Sequence, residues 1–164
     1  MNRRELSDKL GGAFPNVLPV ERPVVKDQSI RDPNWLVGFV SGEGCFLVKV
    51  YDSPESKFGK RVWLEINITQ HSRDSQLIES LVEYLNCGKV YKARGVVNFV
   101  ERRFSHITEK IIPFFDKYPL IGVKSKDFDD FKKVALLMKE GSHKTKEGLE
   151  QIEKIKLGMN RGRE

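Results

Sequence analysis

The sequence predicts an α+β domain in which four strands form one antiparallel sheet with helices on one face. Three observations predict it. Apolar residues recur at helical spacing from Trp35 to Val40; two period-two segments joined by a turn follow; and the same helix-then-hairpin pattern repeats between Ser72 and Phe104. The order is α-β-β-α-β-β-α with further helices toward the C-terminus.

The first 31 residues stand apart, with Gly11-Gly12 and then Pro15, Pro19 and Pro23. Such punctuation suits a linker-like arm over 1–31, and residues 32–164 form the predicted domain. Asp32 is placed as an N-cap and Pro33 as the first helical residue. Cys45 to Tyr51 and Arg61 to Thr69 alternate with period two, and the turn-rich stretch from Asp52 to Gly59 makes them a hairpin. Leu77, Ile78, Leu81, Val82 and Leu85 mark a second helix, stopped at Asn86-Cys87-Gly88. A second hairpin runs through Lys89–Arg94 and Val96–Phe104 with Gly95 at its turn. Helical patterns return at Ile107–Tyr118, where Pro113 predicts an interruption, at Asp127–Lys139 and at Thr145–Met159.

A chain of 164 residues is long enough for one domain with a proper core. Its 29 Lys and Arg against 23 Asp and Glu leave a net charge of +6, which points to a polyanionic partner. Cys45 and Cys87 are the only cysteines and have no metal or redox spacing, so neither a disulfide framework nor a zinc site is expected, and a reducing, intracellular setting fits. No apolar run approaches the ~20 residues of a membrane span, and the N-terminus lacks a signal-peptide stretch. No membrane partner is expected.

On the second strand Val62, Leu64, Ile66 and Ile68 share one face and Arg61, Trp63, Glu65, Asn67 and Thr69 the other. The first set pairs with Phe46, Val48 and Val50 as the core face; Cys45, Leu47, Lys49 and Tyr51 join the second. A half-solvated sheet accounts for that alternation. The second hairpin adds Lys89, Lys92, Arg94, Arg102 and Arg103 against one acid, Glu101, and cations beside amides are what a groove-reading surface needs. Strands of about nine residues span ~30 Å, close to the ~34 Å of one turn of DNA.

Chemistry concentrates in Gly38-Phe-Val-Ser-Gly-Glu-Gly44. Gly38 and Gly42 share a helix face with Ser41 beside them, and small residues at that spacing let a second helix approach closely. A glycine-lined packing seam would explain a bare G-x-x-x-G. Glu43 is different, because a carboxylate at a helix C-terminus is unfavourable without a compensating cation. Two such helices packed side by side bring two carboxylates and several backbone carbonyls together, a hard-oxygen site suited to Mg²⁺ and to the two-metal hydrolysis of phosphodiesters. Nucleotide-binding loops are excluded, since the glycines close a helix instead of opening one.

Leu36-Val-Gly-Phe-Val-Ser-Gly-Glu-Gly44 resembles the L-A-G-L-I-D-A-D-G signature of the LAGLIDADG homing endonucleases. The resemblance extends from Asp32 to about Met159 and includes the strand ending Ile66-Asn-Ile-Thr-Gln70 and the segment Tyr118 to Phe128. It implies that Glu43 is the catalytic metal-binding acid, helped by the Gly42 carbonyl, with Gln70 and Lys124 arranging the water network. The cofactor it implies is Mg²⁺ or another divalent cation such as Mn²⁺, with Ca²⁺ as an inactive substitute. A further basic residue of many relatives falls near Asp74 here, so that role is missing or belongs to Arg73. The DNA-reading face is expected to hold Lys49, Tyr51, Arg61, Trp63, Glu65, Asn67, Lys92 and Arg94. On the last strand the resemblance points to Val97, Phe99, Glu101 and Arg103, while alternation leaves Asn98, Val100 and Arg102 open as the alternative.

One motif supplies half of a two-helix site. The resemblance therefore implies a partner, either a second copy on a near-palindromic double-stranded DNA target or a second half, meeting this one through Leu36, Gly38, Phe39, Ser41 and Gly42. The arm, with Arg3-Arg-Glu-Leu6, Phe14-Pro-Asn16 and Val20-Glu-Arg-Pro23, resembles the linker of two-motif members, which makes the chain similar to a C-terminal half. Relatives are often encoded in organellar introns, so mitochondrial residence is expected. Two other readings stand beside cleavage: a binding module such as an intron maturase, and a half active only with its mate.

Overall fold

The computed structural model describes residues 12–16, 25 and 27–162. The predicted arm over 1–31 therefore lies outside the described residues except at 12–16, 25 and 27–31. Its end is docked: Gln28 accepts the Leu77 N–H at 3.0 Å through its side chain and the Ser80 hydroxyl at 3.2 Å through its carbonyl.

Helix α1, Pro33–Glu43, starts as predicted, with the Asp32 carboxylate accepting the Asn34 N–H at 2.8 Å and Pro33 in the first turn. Leu36, Val37 and Val40 face the core. No loop follows, because Gly44 is at once the helix cap, donating its N–H to Val40, and the first residue of strand β1, Gly44–Asp52. A Cβ at this position would lie 2.6 Å from both Cγ1 and the carbonyl oxygen of Val40, so the direct helix-to-strand passage requires glycine.

Strand β1 pairs with β2, Lys60–His71, from Gly44 opposite Ile68 to Asp52 opposite Lys60. Helix α2, Ser75–Leu85, ends on Asn86 at φ 49° and leads to β3, Lys89–Ala93, and β4, Val96–Glu101. The sheet is antiparallel in the order β1-β2-β4-β3, with β1 and β3 at its edges. Helices cover one face, where Phe46, Leu64, Ile66, Ile68, Val97 and Phe99 are buried. The Phe46 ring lies 5.2–5.7 Å from those of Phe115, Phe128 and Phe131, joining β1 to the helices behind it.

Three sequence expectations change. Strand β4 stops at Glu101 instead of running to Phe104, because the Glu101 carboxylate accepts the N–H groups of Arg102 and Arg103 at 2.8 and 2.7 Å and turns the chain into the next helix. That helix, α3, is continuous through Phe104–His106, Ile107–Ile111 and Ile112–Lys117. Pro113 does not interrupt it; Ile112 donates to Ile107, five residues back, and this wider π turn accommodates the missing proline N–H. Helix α4, Val123–Lys139, begins a turn before Asp127, since its first turn is solvated and carries no core pattern. Helix α5, Lys146–Leu157, is capped by the Thr145 hydroxyl.

The segment after α5 returns to the β1 edge. Asn160, at φ 53°, donates its side-chain N–H to the Phe46 carbonyl at 3.0 Å and its backbone N–H to Asp127 at 2.9 Å, while the Cys45 thiol donates to its amide oxygen at 3.4 Å. None of the described helices is long and apolar enough to cross a membrane.

Gly88 tests this packing. It sits at φ 90°, and a Cβ there would lie 2.2 Å from the Phe99 ring. Gly88→Ala is expected to lower stability by about 2–4 kcal/mol, from left-handed strain and overpacking together, read as a lower urea midpoint. A midpoint equal to that of the parent would show the ring moving aside at no cost.

Candidate active site and nucleic-acid interface

The α1–β1 junction fixes Glu43 and Gly42 at the open end of the helix, and both are exposed. The last helical carbonyls have no intrahelical N–H to accept there. Gln70 lies on β2 two residues beyond Ile68, the partner of Gly44, so the register carries it alongside the end of α1. Lys124 stands in the first turn of α4. Its charge reaches Cys45, where burial pushes the thiol pKa up and the Lys124 ammonium opposes that rise. The register thus sets Gln70 near the end of α1, and Lys124 stands within electrostatic reach of Cys45, two residues beyond Glu43. Arg73 is held by Asp74 at 3.3 Å just past the end of β2. Among the described residues no group of three or more His, Cys, Asp or Glu could hold a metal ion.

The outer face of α1 is built from Trp35, Gly38, Phe39 and Gly42, which recur at i, i+3, i+4 and i+7. An added Cβ would meet nothing within 4 Å at Gly38 or Gly42, and Trp35, 46% exposed, stacks on Phe39 at 5.1 Å. The face is therefore open, aromatic at one end and flat at the other. Leu36, predicted to meet a partner, is corrected: it is fully buried in the core of its own chain. Ser41 is half-buried and donates its hydroxyl to the Val37 carbonyl at 2.8 Å. Trp35 was not among the predicted interface residues, although the same spacing marks it.

The sheet face away from the helices carries Lys49 and Tyr51 on β1, Arg61, Trp63, Glu65, Asn67 and Thr69 on β2, Asn98 and Val100 on β4, and Lys89 and Tyr91 on β3. Tyr51 and Trp63 pack at 4.5 Å, with the Lys49 ammonium 5.9 Å from the indole. The Thr69 hydroxyl donates to Asn98 at 2.6 Å, tying polar groups of adjacent strands into a row. Arg61 pairs with Glu55 at 2.9 Å.

Glu65 is on this face but only 1% exposed, buried between Lys49 at 2.9 Å and the Arg102 Nε at 2.6 Å. It holds two cations in place and is not itself presented to a ligand. Four further expectations are corrected by the pairing of Ile68 with Phe99 and Asn67 with Val100. Phe99 is fully buried among the helices, and Glu101 lies on that same side. Lys92 is opposite Val97, also on the helix side, and pairs with Glu79 of α2 at 2.6 Å. Arg103 lies beyond the strand, its guanidinium 3.3 Å from the His106 ring. Arg94 is at the exposed hairpin turn. Asn98, Arg102, Lys89 and Tyr91 take the places on the open face, and the size of Phe99 was the signal that could have chosen this parity.

Glu101 anchors the start of α3 from below. Besides Arg102 and Arg103 it accepts the Gly88 N–H at 2.6 Å and the His106 ring N–H at 2.7 Å. Burial on its own raises the Glu101 pKa and is the largest influence, but His106 and the three backbone donors together outweigh it and hold the carboxyl below its ordinary value. A depressed folded pKa contributes stability that is present above the unfolded value of about 4.3 and lost as pH falls through the folded one. Glu101→Gln is accordingly expected to cost about 1–3 kcal/mol at pH 7, a gap that narrows in urea titrations taken at pH 3. A gap unchanged between the two pH values would separate the loss from the carboxylate charge.

A family model described as LAGLIDADG endonuclease matches residues 36–135. The chain is 43% identical over 159 residues to a protein of Neurospora crassa named "Probable intron-encoded endonuclease 3", covering 95% of this chain and 30% of that one. Among solved structures it superposes on the I-SmaMI LAGLIDADG homing endonuclease bound to cleaved DNA with a TM-score of 0.92 and 43% identity, covering 99% of this chain and 55% of the other. A second structure, of I-SmaMI on uncleaved target DNA in the presence of calcium ions, matches with a TM-score of 0.89 and 45% identity over 94% of this chain and 53% of the other. The chain thus spans about a third of the length of that curated relative and about half of the solved ones.

Proposed function

Because this chain belongs to the LAGLIDADG endonuclease family, we propose that it supplies one half of a site-specific double-stranded DNA endonuclease, completed when a second motif helix packs on the open face of α1. The observation that carries this reading is the α1–β1 junction: an exposed carboxylate at the end of a helix whose outer side is flat glycine surface, beside a sheet face rich in cations and amides. A buried catalytic acid or a closed α1 face would not support it.

Glu43 and the Gly42 carbonyl are exposed hard-oxygen donors, which fits a divalent cation, and two halves would double the set. These residues would hold Mg²⁺, or Mn²⁺ in its place, with Ca²⁺ occupying the site without turnover. Bound there, the metal supplies charge neutralisation at the phosphodiester and a nucleophilic water at neutral pH. Gln70, on the strand beside the helix end, would orient a water through its amide. Lys124, in the first turn of α4, would add a positive charge near the reacting phosphate. Lys49, Tyr51, Arg61, Trp63, Asn67, Asn98 and Tyr91 face the groove, where amides and cations meet base edges and phosphates. Glu65 keeps Lys49 and Arg102 in fixed positions for that readout.

The second half is a second copy, with a near-palindromic target, when the chain acts alone. That solved relatives are almost twice as long favours a second reading, in which the mate belongs to the same longer protein and residues 1–31 connect the two. The intron-encoded relative supports an intron-encoded origin, and with it mitochondrial residence.

Cleavage of a randomised palindromic duplex library with Mg²⁺, parent beside Glu43→Gln, tests the chemistry. Glu43→Gln is expected to lose more than the roughly 10–100-fold that losing an outer-shell partner of a metal costs, with DNA binding retained; equal cleavage by both proteins would remove Glu43 from the reaction. Sedimentation with and without a palindromic duplex tests the partner. The parent is expected to associate on DNA and Gly38→Leu, which fills the open face, to remain monomeric. A parent monomeric under both conditions would leave only the mate-half reading.

A further inference from the structure

Helix α2 has no side-chain cap of its own: Asp74 stands at the capping position, but its carboxylate accepts none of the helix N–H groups. The N–H of Leu77, third in the helix, is one that an N-cap side chain ordinarily takes. Here Gln28, 49 positions away in the chain, takes it through Oε1 at 3.0 Å. The Ser80 hydroxyl, one turn on, is shared between the Leu77 carbonyl at 2.8 Å and the Gln28 carbonyl at 3.2 Å. The end of the arm thus caps α2 from outside.

Four residues later the same segment becomes the Asp32 cap of α1. The stretch between is not slack. Asp27 accepts the Ser29 hydroxyl at 2.6 Å and the Ser29 N–H at 2.9 Å and pairs with Arg31, contacts that lower its pKa to about 2, the Ser29 hydroxyl first. Ile30 packs against the core. Farther along α2, burial raises the Tyr84 pKa, then Tyr118 adds to the rise, and so does the Asp32 carboxylate, which is therefore within electrostatic reach. Segment 28–32 follows α2 from its first turn toward its last.

Helix α1 is then held at its two ends by different means. Gly44 joins the C-terminal end to β1 without an intervening loop, and the arm ties the N-terminal end to α2. Eleven residues at ~1.5 Å each make a lever of ~16 Å between the two. A tilt of about 4° about the Gly44 end moves the Trp35 end by ~1 Å, and ~1 Å of misplacement can cost ~100-fold in rate. We propose that Gln28 is a positioning residue for DNA cleavage: by capping α2 from the arm it fixes the tilt of α1, and with it the angle at which the second half seats beside Glu43. The inference rests on the pairing of two motif helices over the open α1 face proposed above. Only the acceptor oxygen of Gln28 serves the cap, and a carboxylate at a helix N-terminus accepts with the helix dipole in its favour. Gln28→Glu therefore keeps the brace, and Gln28→Ala removes it.

Two readouts on the full chain test this. In amide hydrogen exchange, Gln28→Ala is expected to speed exchange at Leu77, whose cap is lost, and at Leu36 and Val37 near the start of α1, by about five- to tenfold. The sheet amides of Ile66 and Ile68 are expected to exchange as in the parent. In single-turnover cleavage of a library-selected duplex with Mg²⁺, Gln28→Ala is expected to bind with the parent Kd and to cleave about tenfold more slowly at saturation. Gln28→Glu is expected to cleave at the parent rate. Unchanged exchange at Leu36 and Val37 in Gln28→Ala overturns the brace, whether or not the parent cleaves. A parental rate in Gln28→Ala, or a slow rate in Gln28→Glu with Leu77 protected, overturns the positioning role. A rate loss matched by weaker binding and faster sheet exchange overturns it as well, as general loosening. A parent that cuts no duplex removes the nuclease reading instead, and the exchange at Leu36 and Val37 alone then decides the brace.

Discussion

The contact between Gly44 and Val40 governs the rest of the molecule. A helix and a strand normally need intervening residues to change direction, yet here the last helical residue and the first strand residue are neighbours, because glycine leaves room for the Val40 side chain and carbonyl. Two rigid elements joined without slack cannot shift independently. The register of β1 against β2 therefore fixes the position of Glu43, and the same register brings Gln70 to the helix end. Precision at a reacting centre comes from such rigid supports more readily than from a loop. The cost is specificity of sequence, since even one methyl group at this position would force the helix away from the sheet.

Two buried carboxylates, on opposite faces of the sheet, organise its charge in different ways. Glu65 faces the open side and is compensated by the side chains of Lys49 and Arg102, whereas Glu101 faces the helices and takes three backbone N–H groups and a histidine ring. The first arrangement is between side chains and lies on the open face, where Lys49 and Arg102 are partly exposed. The second is largely backbone and holds the fold. The two sets are thus separated: Glu65 fixes side-chain charges on the open face, and Glu101 fixes the path of the chain.

What the sequence made legible follows from which features are local. Asp32 and Pro33 fix the start of α1, Asn86 and Gly88 the end of α2, and alternation the β1–β2 hairpin, because each depends on neighbours a few residues away. The end of α1 at Glu43 was legible for the same reason, since that residue stands between two glycines. The face of β4 was not: Val96, Val97, Phe99 and Val100 are all apolar, so period two has little contrast, and only pairing with Ile68 decides that Phe99 points inward. Leu36 was misplaced because α1 is apolar nearly all round and its two sides look alike in sequence.

The clamp of Asn160 on Phe46 and Asp127 also has a meaning in time. Its bond to Phe46 joins residues 114 positions apart, and closing a flexible loop of that length costs on the order of 4 kcal/mol in chain entropy. Such a contact forms late, after the nearby hairpins have organised and shortened the effective loop. During synthesis the β1 edge beside Glu43 therefore stays unlatched until the final helix has emerged from the ribosome. The end of the sheet beside Glu43 is fastened after the local hairpins, so the helix–strand junction is held by its glycine contact before it gains this long-range latch.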